Sequence, residues 1–125
     1  MTFRTAIFAA LLLASPALAH GDAPIPAHGG VVVEGGEHWV ELKVAGDQVT
    51  AWVSDQDNKP VSGTQLGGKA TVLMGGKSQV VVLSPAEGNS VTGKLSAPAM
   101  GQVTAVLDLK AGGKPVQVKF IVPAK

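Results

Sequence analysis

"HWVELKVAGDQVTAWVSD", residues 38–55, decides the fold. Two runs rich in β-branched and aromatic residues flank Gly46-Asp47, a pair suited to a two-residue hairpin turn. With Ala45 facing Gln48 across that turn, Val44 faces Val49, Leu42 faces Ala51, Val40 faces Val53 and His38 faces Asp55. Every apolar member then falls on one face, and Trp39, Glu41, Lys43, Thr50 and Trp52 fall on the other. A turn one residue longer would destroy this agreement. The segment therefore reads as an antiparallel pair with one buried face.

The same parity holds downstream. In "VTAVLDLKAGGKPVQVKFIV", a turn at Gly112-Gly113 sets Leu109 against Val116, Leu107 against Val118, Ala105 against Phe120 and Val103 against Val122. In "KATVLMGGKSQVVVL" the consistent inward set is Ala70, Val72, Met74, Val81 and Leu83. Candidate strands cover residues 30–34, 38–44, 48–55, 69–74, 78–84, 90–96, 102–111 and 114–122, separated by Gly-rich turns. No stretch of helical length remains for parallel crossovers. The expected fold is all-β: one antiparallel domain, an immunoglobulin-like sandwich or small barrel of seven or eight short strands over residues 30–125.

Upstream, "MTFRT" supplies a cation, "AIFAALLLA" an apolar run and "SPALA" a small-residue cleavage pattern. This is the make-up of a secretory signal peptide, residues 1–19, cut after Ala19. Its apolar run falls far short of the roughly 20 residues needed to span a bilayer, so the mature chain is expected to insert in no membrane. The only Arg leaves with the signal, so nine Lys balance nine acidic residues. That scattered, neutral charge offers no footprint for nucleic acid. The chain has no Cys, so a secreted domain would hold together by packing alone.

Residues 20–29, "HGDAPIPAHG", read as an extended arm stiffened by Pro24 and Pro26. All three histidines, His20, His28 and His38, lie within residues 20–38, and Asp22, Glu34, Glu37 and Glu41 lie in and beside the same segment. Cut after Ala19, His20 brings its α-amine and imidazole together as a bidentate chelate. Cut after Ala17, it would stand third, also a nitrogen-rich site. Imidazole, amine and carboxylate without thiolate suit Cu(II), and Zn(II) less well. Each histidine also has a plain reading: a polar residue after a cut site, a turn residue before Gly29-Gly30, and a rim residue bonded to Asp55. A carboxylate beside a histidine is, however, how proteins orient imidazole ligands. With Gly35-Gly36 as the next turn, Val33 faces His38, and a strict register puts His28 and His38 on opposite faces, roughly 16 Å apart. They could share a metal only if Gly29-Gly30 broke the strand and the arm folded back. Trp39 and Trp52 form either a cross-strand contact, the inner face of a second sheet, or an exposed docking patch.

Residues 26–63 carry a resemblance. Pro26-Ala27-His28-Gly29-Gly30, then His38, Glu41 and Leu42 in a strand, then a D-x-x-x-K-P-V turn from Asp55 to Val61, resemble small secreted bacterial proteins with a P-H-G-G motif; Ala27 is an insertion in that motif. Such segments accompany periplasmic heavy-metal efflux and copper handling. In layout the chain also looks like the periplasmic CopC copper-resistance family, β-sandwiches whose first histidine binds Cu(II). The resemblance implies a non-enzymatic periplasmic protein that buffers metal or delivers it to an efflux partner. The alternatives are a non-metal structural or partner-binding β-domain and an oxidative copper enzyme, the latter lacking a Tyr for its axial environment. No nucleophile elbow or phosphate loop is present.

Overall fold

The computed structural model describes residues 23–124. The expected signal peptide, residues 1–19, and His20 lie outside the described residues. Alternating side chains and Gly-containing turns produce eight strands and one short 3-10 turn, Gly63–Gln65, with no α-helix among the described residues. The strands are β1 (Val31–Gly35), β2 (His38–Ala45), β3 (Gln48–Asp55), β4 (Leu66–Met74), β5 (Lys77–Pro85), β6 (Ser90–Lys94), β7 (Val103–Ala111) and β8 (Lys114–Val122). All neighbours pair antiparallel, in the order β1-β2-β3-β6-β5-β4-β7-β8. The β4-β5-β6 meander is flanked by β3 beside β6 and β7 beside β4, which makes two overlapping Greek keys.

The registers of β2–β3, β4–β5 and β7–β8 are those the parity argument requires, from Ala45↔Gln48 to His38↔Asp55 and from Ala111↔Lys114 to Val103↔Val122. Inward residues from all strands but β1 merge into one core that contains Val40, Leu42, Val53, Leu107, Val118 and Phe120. Phe120 is fully buried. At roughly 25 cal/mol per Å² of apolar surface removed from water, this single core is the source of stability in a chain without Cys.

The sheet curls until β1 lies against β8. This corrects the expected first turn. The hairpin is closed by Gly35↔His38, so the turn residues are Gly36-Glu37, and Val33 faces Val40 rather than His38. The cause is the seam: a Cβ on Gly35 would lie 2.5 Å from Val118 Cγ2 and 3.2 Å from Val116 Cγ1. Only glycine fits there, so Gly35 belongs to the strand, and Gly36 (φ +59°) takes the first turn position. On the far side, β5 and β6 share just two pairs, Ser84↔Thr92 and Pro85↔Val91, and then splay apart.

Candidate functional site

The outer face of the β2–β3 pair is not bare. Gly29 has φ +78°, in the left-handed region, and there the chain leaves the line of β1 and turns back over the sheet. Gly30 completes the reversal, because a Cβ on it would collide with the Leu42 carbonyl oxygen. The arm then settles on Glu41. One carboxylate oxygen accepts the Ala27 N–H at 3.1 Å and meets His28 Nδ1 at 3.0 Å. The other accepts the N–H groups of His28 at 2.9 Å and Gly30 at 2.8 Å.

Glu41 is only 6% exposed. Burial alone would push its carboxyl up. The bond from the His28 ring, the N–H groups of Gly30 and His28, and the charge of His28 outweigh that and hold it below its ordinary value. The carboxylate thus fixes arm and imidazole together.

His28 stacks on Trp52, ring centroids 3.8 Å apart and planes 3° from parallel. Beneath the arm, Pro24, Ile25 and Ala27 on one side and Trp39, Glu41 and Trp52 on the other bound a cleft of about 240 Å³. Trp39 is therefore buried despite its outward parity. The two tryptophans form the bed on which the arm lies, with His28 as the ring stacked on Trp52. This differs from each use considered for that face.

His38 stands elsewhere. It faces Asp55 in register at the end of β2. Yet Asp55 Oδ1 accepts the N–H groups of Asp57 and Lys59, both at 2.9 Å, to build the turn after β3. His38 Nδ1 is buried without a hydrogen-bond partner among the described residues. The pairing of imidazole with carboxylate is thus made by His28 and Glu41, not by His38 and Asp55. The arm does fold back at Gly29, but onto the face opposite His38, so the two histidines are not brought together.

Among the described residues no group of three or more His, Asp or Glu side chains is arranged to hold a metal ion. His20, the leading ligand candidate, lies outside the described residues. No described helix is long and apolar enough to cross a membrane. In the sequence Glu41 stands as one of four carboxylates near the histidines, with nothing local to pair it with His28. The signal that could have found it is an acidic residue on an aromatic-flanked strand, facing an arm whose successive N–H groups need an acceptor. No protein-family model, no curated protein and no solved structure matches the chain.

Proposed function

We propose that the chain is a periplasmic, non-enzymatic metal-binding protein, selective for Cu(II) over Zn(II), that buffers the ion or hands it to an efflux partner. In this reading the signal is cut after Ala19, and His20 supplies an amine and an imidazole nitrogen at the new N-terminus. The observation that carries the proposal is the grip of Glu41 on His28. With Nδ1 held by a carboxylate, Nε2 is the nitrogen left for a ligand, and the side chain keeps 41% of its surface exposed. That is the second-sphere arrangement that fixes the tautomer and raises the basicity of a metal-bound imidazole. His20 precedes His28 by eight residues in the sequence, and Trp52 fixes the plane of the His28 ring. The likeness of Pro26–Gly30 to the P-H-G-G proteins points to the same chemistry.

In the same reading the strands form a sandwich with leaves β1-β2-β3-β6 and β5-β4-β7-β8, joined by the short β5–β6 ladder. His38, on the other face, takes no part in the site. A second reading, docking of a partner through the β-sheet surface, is favoured by Val80 and Val82, which stand 63% and 70% exposed. Calorimetric titration of Cu(II) into the secreted protein tests the metal reading. His20→Ala should weaken binding at least tenfold, about 1.4 kcal/mol, and His28→Ala by less. Equal affinity in wild type and both variants overturns it.

A further inference from the structure

The backbone of β5 is only half used. Toward β4 it pairs from Lys77 to Leu83. Toward β6 it pairs only at Ser84 and Pro85. Met74 and Lys77 flank the two-residue turn Gly75-Gly76, and residues in that position exchange both hydrogen bonds with each other. The alternation that follows aims the N–H and C=O groups of Gln79, Val81 and Leu83 at β4, and those of Ser78, Val80 and Val82 away from it. Ser84, next in that phase, is the residue that does meet β6. Gly93 of β6 closes over the Val82 carbonyl, since a Cβ there would collide with it. After β6, Leu95 is buried and exposed Ser96 donates its N–H to the Gln79 side chain at 2.8 Å, without pairing with the β5 main chain. Ser78 and Val80 are left with main-chain groups facing outward and no strand beside them.

Sheets usually protect such an edge with Lys, Pro or a bulge. The edge of β8 follows that rule, with Lys114, Pro115 and Lys119, and β1 lies against it. From Ser78 to Leu83 β5 reads Ser-Gln-Val-Val-Val-Leu, with no charge, no proline and three β-branched residues in a row. Val80 and Val82 stand on the outer face of the same strand, and Leu73 of β4 adds a third exposed apolar side chain.

We infer that β5 is the pairing edge of a two-fold homodimer, joined antiparallel to β5 of a second copy about Gln79, so that the free main-chain groups of Ser78 meet those of Val80 in the other copy. A row of main-chain donors and acceptors accepts only another extended strand. A second copy fits because the antiparallel arrangement is self-complementary and closes at two chains. Gln79 then faces its counterpart, Ser78 faces Val80, and Lys77 faces Val81, so no like charges meet. The two Lys77 side chains stand at opposite ends of the ladder, about 14 Å apart. The near-neutral charge of the chain adds no long-range repulsion. One short ladder and a small apolar patch bury less than the roughly 1,000 Å² typical of permanent dimers, so the dimer is reversible and concentration-dependent. This assignment does not depend on the metal reading.

Sedimentation equilibrium of the secreted protein, from micromolar to about 1 mM, tests it together with amide hydrogen exchange. The wild type should follow a monomer–dimer isotherm, and the exchange of Ser78 and Val80 should slow as concentration rises, while Gln79 and Val81 stay protected throughout. Val80→Lys should weaken dimerisation at least tenfold with far-ultraviolet dichroism unchanged. Ile121→Lys, on the outer face away from β5, should leave it intact. A monomer at every concentration overturns the inference. So does weakening by Ile121→Lys and not by Val80→Lys, or a dimer whose Ser78 and Val80 amides exchange as in the monomer.

Discussion

Replacing Glu41 with Gln removes the charge on which the arm is built and keeps the shape of the side chain. In the native protein the carboxylate receives four bonds, two on each oxygen, between 2.8 and 3.1 Å. A glutamine offers one acceptor oxygen and turns an NH₂ donor toward the other pair; with that pair being Ala27 N–H and His28 Nδ1, the ring nitrogen can accept in its other tautomer, so at least one bond is lost and one donor confronts a donor. Bonds to a charged acceptor contribute about 1.5–3 kcal/mol each. The loss has an upper bound, because the arm can lift off and give its N–H groups to water. Balancing these, Glu41→Gln should cost about 2–3 kcal/mol, a large share of the 5–15 kcal/mol typical of a domain. Urea unfolding gives the total. Amide hydrogen exchange gives the location: Ala27, His28 and Gly30 should lose protection, while Leu42 and Val53 in the core exchange as slowly as before, relative to global stability. Trp52 emission should change as His28 leaves its face. A cost under about 0.5 kcal/mol with the three arm amides still protected would refute the argument that this carboxylate holds the arm.

Three further outcomes follow from the same geometry. Because the Glu41 carboxyl is held below its ordinary value, its stabilisation is complete above the unfolded value near 4.3 and is lost as pH falls through the folded one; arm amides should therefore deprotect in acid more steeply in wild type than in Glu41→Gln. Phe120→Ala, at a fully buried position, should cost about 3–5 kcal/mol in urea unfolding, and under 1 kcal/mol would mean that its neighbours collapse into the space. Gly30→Ala should destabilise by about 1–3 kcal/mol, since its methyl would strike the Leu42 carbonyl; a neutral result in the same assay would show that the arm can enter β1 by another path.

The parts of this architecture that could be read in the sequence are those set by a two-residue turn and a period of two. Gly46-Asp47 and Gly112-Gly113 fix their hairpins locally, so Leu42 against Ala51 and Ala105 against Phe120 follow without knowledge of the rest. "EGGE" could not be read in this way, because it holds two adjacent glycines and the choice between them is made by Val116 and Val118, far along the chain. The β3–β6 pairing and the short β5–β6 ladder are set by packing between distant segments and leave no local mark. At the site, the clustering of histidines is visible in the sequence but the carboxylate partner is not: His38 and Asp55 are paired by register, while His28 reaches Glu41 only through the reversal at Gly29. Asp55, the carboxylate that register supplied, is taken by its own turn through Asp57 and Lys59.

In the proposed site one Cu(II) is held by nitrogen from both His20 and the Glu41-oriented His28. Pulsed electron paramagnetic resonance counts imidazoles on the ion through their remote nitrogens and decides this on protein that begins at His20, loaded with one equivalent of Cu(II). Two imidazoles are expected in wild type and in His38→Ala, and one in His28→Ala and in His20→Ala. A spectrum of a single imidazole that His28→Ala leaves unchanged would contradict it.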